Sequence, residues 1–315
     1  MSTTTLRQAQ GGALPQAQGA AYDRLLADLG ATFRPQRQWV EGRGLLLIIG
    51  HFLSGVGAGA WLFALAFDQR AGLAAATATV ALAGVFHLLF LGRPERFWRM
   101  FRAKSSWIAR GFVGMNLFVP GALLYFVFPD GYVGGAFLAV SLLGAAILIV
   151  YKGNVYAASK GVPFWNSPLL PVLYAAYALR GGGAALLVLL PFAKDGADEA
   201  TVGLIELWIG LSAAVMLGFY LGVMRNATRA AQRSVAELMH GRVALVFYLG
   251  TLGAGLVVPI AAGVVGLAAP LSEAVLAVVA CFSLGGDFFA KYAIAKAGVY
   301  VPLMPTLGEG ARPPR

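Results

Sequence analysis

Seven side chains able to do chemistry lie inside long apolar runs of this sequence: His51, His87, Tyr151, Tyr174, Tyr177, Arg180 and Asp287. Ionisable and polar groups in such runs are costly unless they are used, so each is a functional candidate. A histidine both donates and accepts a proton near neutral pH. That suits quinol oxidation or quinone reduction, in which each electron pair moves with two protons. His51 is therefore a candidate catalytic residue, and its plainer reading is a structural histidine satisfied by its neighbours. The chain around it reads His51-Phe-Leu-Ser-Gly55-Val-Gly57-Ala-Gly59-Ala-Trp61. Gly55 and Gly59 form a GxxxG pair, the pattern by which two helices approach closely. The same missing side chains would leave a groove for a flat ring or an apolar tail. Arg180 precedes Gly181, Gly182 and Gly183, and an arginine this deep must pair or face a wet cavity. Glu206 and Glu273 enter from the opposite face, either as interface-level carboxylates or as parts of a proton route. Asp287 and Lys291 stand at i, i+4, the spacing of an intrahelical ion pair.

The elements that position these groups follow from composition. Of 315 residues 59% are hydrophobic and only 12% charged, with a mean hydropathy of +0.73, against about 25% charged residues in soluble domains. The class is all-α integral membrane. Runs of about 18 or more apolar residues match a hydrocarbon core about 30 Å thick, and they fall near 45–67, 71–91, 111–129, 132–151, 169–192, 201–224, 243–266 and 271–292. Eight transmembrane helices thus form one membrane domain over 45–292, with a polar N-terminal tail over 1–44 and a C-terminal tail over 293–315. The first segment has no apolar stretch before Leu45, so no cleavable signal is read there. Pro120, Pro171 and Pro259 fall inside spans, which bundles tolerate because neighbouring groups re-satisfy the freed carbonyls.

Eight crossings put both termini on one side, and 21 of the 24 lysines and arginines fall on that side. Only Arg70 and Lys194 lie opposite, beside Asp68, Asp130, Asp195, Asp198 and Glu199, and Arg180 is mid-span. The bias makes the terminus side cytoplasmic. By depth, His51 lies about 9 Å below that surface at 1.5 Å per residue, and Arg180 about 16 Å. His87, Tyr151, Tyr174 and Asp287 share the layer of His51, where an amphipathic molecule with an isoprenoid tail could place its polar head. The net charge of +10 reflects this topological bias, not nucleic-acid binding, for which no motif appears; anionic membrane lipids would use the same basic face.

The loop from Gly92 to Arg110 mixes six cations with four aromatics and reads as an amphipathic interfacial helix. It is either a positive-inside loop with aromatic anchors or a docking platform, with Arg93, Arg96, Trp98, Arg99, Arg102, Trp107 and Arg110 as the contact residues. One cysteine, Cys281, cannot ligate a cluster, so any iron–sulfur chemistry comes from a partner, and no metal site is expected in this chain. The glycine motifs follow no strand and lack Gly-Lys-Ser, which disfavours nucleotide binding.

Three stretches carry a family resemblance: Arg34-Pro-Gln-Arg-Gln-Trp39 leading into the His51–Trp61 helix, His87-Leu-Leu-Phe-Leu-Gly-Arg-Pro-Glu-Arg-Phe-Trp98, and Ser105-Ser-Trp-Ile-Ala-Arg-Gly111. With Tyr151-Lys-Gly-Asn154 and Trp165-Asn-Ser-Pro168 they resemble the NrfD-like membrane subunits of polysulfide, dimethyl sulfoxide and related molybdopterin oxidoreductases. The resemblance covers residues 34 to 185 well and the last three helices by hydropathy alone. It implies an eight-helix anchor in a prokaryotic cytoplasmic membrane, without heme of its own, binding menaquinone or ubiquinone near the docking face. A four-cluster, ferredoxin-like iron–sulfur subunit would dock there, and it would exchange electrons with a molybdopterin (molybdenum or tungsten) catalytic subunit. The family's quinone-site histidine on the first helix maps to His51, its tyrosine at the end of the fourth to Tyr151, the expected catalytic pair, and its arginine on the fifth to Arg180; Gly55, Gly59, His87, Tyr174 and Asp287, read from the residues themselves, complete the expected quinone-binding set. A cytoplasmic docking face is most similar to the membrane subunit of phenylacetyl-CoA:acceptor oxidoreductases.

Two other classes compete. A heme b anchor carrying two bis-histidine hemes needs four intramembrane histidines, and only His51 and His87 are available, so one heme is the most it could hold. A secondary transporter would account for Arg180 and its glycines, but it predicts a matching interrupted helix in the second half, where none is found.

Overall fold

The computed structural model describes residues 33–102, 106–193 and 199–301, with Gly19 apart from them. Of the expected docking residues, the Arg102 side chain lies outside the described set, as do most of both tails. The helices are α1 (Gly44–Ala66), α2 (Arg70–Phe90), α3 (Trp107–Val127), α4 (Gly131–Ala157), α5 (Leu169–Leu189), α6 (Glu199–Arg225), α7 (Arg229–Met239), α8 (Val246–Ala268) and α9 (Glu273–Ala297). All but α7 are long and apolar enough to cross a membrane, so eight candidate spans stand where eight were expected.

The ends of three spans run beyond the sequence reading. Helix α3 starts at Trp107, four residues early, while α4 runs on to Ala157 and α9 to Ala297. Hydropathy falls where a charge appears, but the i→i−4 hydrogen-bond ladder continues through the interface. Lys152 sits inside the α4 extension and Lys291 just inside the end expected for the last span, and both are buried within the bundle. Spacing explains Lys152: Ser141, Ala145 and Leu148 precede it at helical intervals on the buried face of α4.

Turns between spans use residues that tolerate unusual backbone. Gly131 opens α4 at φ 65° and Gly92 follows α2 at φ 65°, both in the left-handed region open to glycine. Thr228 caps α7 and Ser272 caps α9, each accepting from the amide three residues on. Pro259 follows a wide π-helical stretch, Val246–Val257. It has no N–H for the Gly255 carbonyl four residues back, and that carbonyl accepts from Arg180 Nη2 instead.

The loop after α2 is not the α-helix expected. Pro94–Arg102 forms a 3-10 helix, whose three residues per turn align Phe97 with Met100 on one row and Arg96 with Arg99 on another. Phe97 and Phe101 pack on Phe112 of α3, with ring centroids 5.8 and 4.8 Å apart.

Helices α1 and α5 are the most buried spans, and the others surround them with apolar side chains on the outer flank. One core forms among α1–α5 and another mainly among α5–α9, to which Ile48 of α1 and Tyr156 of α4 also contribute. The α1–α5 crossing is backbone against backbone: a Cβ on Gly59 would lie 2.1 Å from the Ala178 carbonyl, and one on Gly182 would lie 2.2 Å from Gly59. The segments flanking α1 and α9 pair, with Gln36 N donating to Gly298 O at 2.9 Å and Tyr300 N to Arg34 O at 2.8 Å. We call this end of the bundle the near end, and the end bearing Asp68, Asp130 and the α8–α9 turn the far end.

Candidate functional site

Three helices bring His51, His87 and Tyr151 together in the near third of the bundle. The His51 ring lies 5.3 Å from that of His87, 5.7 Å from that of Tyr151 and 5.8 Å from that of Tyr156. Glycines make the room. A Cβ at Gly50 would strike the His87 ring at 2.4 Å, and one at Gly111 would strike the Tyr151 ring at 2.3 Å. Neither glycine was among the sequence candidates, although Gly50 directly precedes His51.

Hydrogen bonding fixes a proton arrangement. His87 Nδ1 lies 2.7 Å from the Ala83 carbonyl, an acceptor only, so Nδ1 carries the hydrogen. In the neutral ring Nε2 is then an acceptor, and the Tyr151 hydroxyl donates to it at 3.3 Å. Ser54 Oγ, 3.5 Å from the same hydroxyl, adds a third polar group. Among the described residues His51 Nδ1 is buried without a hydrogen-bond partner, which leaves it able to bond a ligand.

These groups floor a cavity of about 390 Å³ between α1, α2, α3 and the 3-10 helix. Its walls are apolar, among them Val80, Leu88, Phe97, Phe112 and Met115, and Gly84 and Ala81 of α2 keep it open. Val85 and Ile108 line it while 50% and 39% exposed on the outer flank, so it opens sideways between α2 and α3, toward the lipid. A cavity of this size with few polar groups at one end suits an amphipathic molecule whose ring enters first.

Other sequence candidates lie elsewhere. Gly59 faces α5 at the helix crossing, and Gly55 makes space for the Lys152 ammonium, which a Cβ would meet at 2.4 Å. Tyr174 stands behind the site, its ring 5.4 Å from Tyr156 and its hydroxyl without a partner among the described residues. Arg180 and Asp287 belong to a separate, deeper network. Arg180 Nη1 pairs with Asp287 Oδ1 at 2.5 Å and Nε with Glu206 Oε1 at 3.4 Å, all three residues being buried. Asp287 therefore turns to α5 and not to Lys291, whose ammonium lies 5.3 Å from the Phe52 ring and 5.6 Å from the Tyr177 ring. On the near-end surface Arg93, Arg96, Trp98 and Arg99 are exposed along the 3-10 helix, and Arg110 stacks over Trp107 at 4.2 Å.

Sequence reasoning missed Ser54, Tyr156 and Lys152 as neighbours of His51. Ser54 could have been found from its i+3 position on the His51 face; Tyr156 and Lys152 lacked any such signal, because they come from a helix far along the chain.

Eight apolar helices around a buried polar interior define a polytopic membrane protein. Residues 42–302 match the family described as "Polysulphide reductase, NrfD", and the chain belongs to that family. The polysulfide reductase C protein of Wolinella succinogenes is 28% identical over 254 residues, 66% of this chain and 78% of that protein. Protein NrfD of Escherichia coli is 29% identical over 123 residues, 38% of this chain and 39% of its own length. The selenate reductase C protein of Mesobacillus selenatarsenatis is 25% identical over 114 residues, 34% of this chain and 27% of its own.

Proposed function

We propose that this chain is the membrane anchor and quinone-reactive subunit of a molybdopterin and iron–sulfur oxidoreductase, exchanging electrons between menaquinone or ubiquinone and a docked iron–sulfur subunit. The observation that carries the reading is the lipid-facing cavity ending on His51, His87 and Tyr151. A bound quinone or quinol supplies the two-electron, two-proton chemistry. His51 Nδ1 bonds the head at one oxygen, since burial without a partner otherwise costs free energy. Tyr151, held by His87 and Ser54, exchanges the proton on the other side. The apolar walls keep water from the ring and admit the tail along Val85 and Ile108.

The partner reading rests on the family and on the exposed cations of the near end. Arg93, Arg96, Arg99 and Arg110 would face an acidic surface of the iron–sulfur subunit, with the molybdopterin subunit beyond it. The charge bias supports a cytoplasmic position for this face. Against a heme anchor, both nitrogens of His87 are engaged, one by Ala83 and one by Tyr151.

His51→Ala or Tyr151→Phe should slow quinone-coupled turnover at least tenfold while the complex still assembles. Normal turnover in both would exclude this site. Replacing Arg96, Arg99 and Arg102 together by glutamine should release the peripheral subunits on solubilisation; an intact complex would return this loop to a purely topological role.

A further inference from the structure

A groove of about 540 Å³ lies on the outer flank of the bundle at the near end, between α3, α4 and the 3-10 helix. Ala109 of α3 and Ala146 of α4 contribute only methyl groups to it, and Phe101, Val113, Ile147 and Val150 supply apolar walls. Phe101, Val113 and Val150 are exposed on this flank, so the groove faces the hydrocarbon. Deeper in the bilayer the same two helices close on each other. A Cβ on Gly144 would lie 2.5 Å from the Phe118 amide nitrogen, and one on Gly121 would lie 2.9 Å from that of Ser141. The helices part only toward the near end, and the groove occupies the gap.

Among the described residues its one charged lining group is Arg110. Arg110 lies three residues into α3, about 4.5 Å past Trp107, and tryptophan at the start of a span belongs at headgroup level. The guanidinium carbon stands 4.2 Å from the centre of the Trp107 ring. Such a stack fixes the guanidinium plane and leaves its edge donors free for a bidentate acceptor. Arg37, Arg96, Arg233 and Arg242 each reach a carboxylate at 3.9 Å or less. Arg110 pairs with no carboxylate of the described residues, and its ring partner Trp107 brings no negative charge. A fork of N–H donors at the interface, backed by an apolar slot, fits a phosphate that carries an acyl chain. Charge selects among phospholipids. A choline headgroup already balances its own phosphate, whereas a glycerol headgroup leaves a net negative charge for Arg110 to neutralise.

We infer that this groove binds one anionic phospholipid, with its phosphate on Arg110 and the start of an acyl chain along Ala109, Val113, Ala146 and Ile147. Arg110 stands at the edge of the near-end face, so the lipid borders the docking surface and leaves Arg93, Arg96 and Arg99 to a partner. It also backs the wall of the first cavity, because Met100 lines both spaces. The lipid site does not depend on the quinone reading.

Native mass spectrometry of the full chain tests the site, with the protein purified in a mild detergent and given equimolar phosphatidylglycerol and phosphatidylcholine of the same acyl chains. Wild type should retain one phosphatidylglycerol at least tenfold in preference to phosphatidylcholine, the scale of one charge-assisted contact. Arg110→Gln should remove the preference, and Arg110→Lys, which keeps the charge but not the fork, should keep part of it. Ala146→Phe fills the slot with the cation intact and should lower phosphatidylglycerol retention at least fivefold. Arg225→Gln, on an exposed near-end cation outside the groove, should leave the preference at its wild-type value. Equal retention of the two lipids by wild type, or an unchanged preference in both Arg110→Gln and Ala146→Phe, overturns the site. A loss of preference in Arg225→Gln as large as in Arg110→Gln marks a general charge effect and overturns it as well.

Discussion

Arg180 offers the most direct test of how the interior is held. Its side chain is completely buried and satisfies three acceptors: Asp287 at 2.5 Å, Glu206 at 3.4 Å and the Gly255 carbonyl. Replacing one partner of a buried ion pair leaves an uncompensated charge and costs about 3–5 kcal/mol. Arg180→Met keeps most of the volume but strands two carboxylates and a carbonyl freed by Pro259. The expected loss is about 4 kcal/mol, roughly a thousandfold in the unfolding equilibrium at about 1.4 kcal/mol per tenfold. The triple variant Arg180→Met, Asp287→Asn, Glu206→Gln removes the stranded charges and should recover at least half of that, because a neutral set no longer carries charge desolvation. Denaturant titration of the protein in detergent micelles, followed by tryptophan fluorescence, measures both. A loss below about 1 kcal/mol in the single variant, or a triple variant no more stable than the single, would refute this account.

Three further outcomes follow from geometry. Gly59→Ala places a methyl 2.1 Å from the Ala178 carbonyl, a backbone atom that cannot yield, so α1 and α5 must separate; thermal unfolding should show a loss of about 1–3 kcal/mol, while Gly218→Ala, with open space around it, should stay within about 0.5 kcal/mol. Gly111→Val pushes into the Tyr151 ring at 2.3 Å, so quinone turnover should fall at least tenfold with assembly intact on native gels. Glu237, outside the spans on α7, feels burial that raises its pKa, but hydrogen bonds from the Arg242 side chain and backbone, with the charges of Arg242 and Arg233, outweigh it and hold the carboxyl below its ordinary 4.5. A depressed carboxyl stabilises the fold above its unfolded pKa and loses that contribution as pH falls through the folded value. The protection factor of the α7 amides, which is the exchange rate relative to that of an unfolded chain at the same pH, should therefore fall on acidification below about pH 4.5, and Glu237→Gln should remove that fall.

The spans were legible because a bilayer imposes one length on every crossing, and a run of apolar residues reports it directly. Their ends were not, since Lys152 looks like a loop cation in a hydropathy window and turns inward only because the facing helix offers Gly55. The layer of the site was legible for the same reason as the spans: depth along a helix is a count of residues. Which groups touch within that layer was not, because His87 and Tyr151 are 64 residues apart and meet only through the packing order of α2 and α4. Arg180 visibly needed a counter-charge, but spacing along α9 offered Lys291 as the partner of Asp287; the structure gives Asp287 to Arg180, which reaches it at 2.5 Å across α5 and α9.

The GxxxG pair admitted two readings, a ligand groove or helix packing, and the glycines divide between tasks that are physically linked. Gly59 lets α1 and α5 touch through backbone alone. That contact sets α1, which carries His51 two turns away, directly against α5, which carries Arg180, so one helix pair joins the near-end cavity to the buried charge network. Gly55, one turn from Gly59, then admits the Lys152 ammonium into the space between them. The small residues that open the cavity itself are Gly84 and Ala81 on α2, with Gly111 on α3. Close packing at the α1–α5 crossing and loose packing between α2 and α3 are thus complementary requirements. The first fixes the polar groups within hydrogen-bond reach, and the second leaves a lipid-side opening through which an apolar tail can pass.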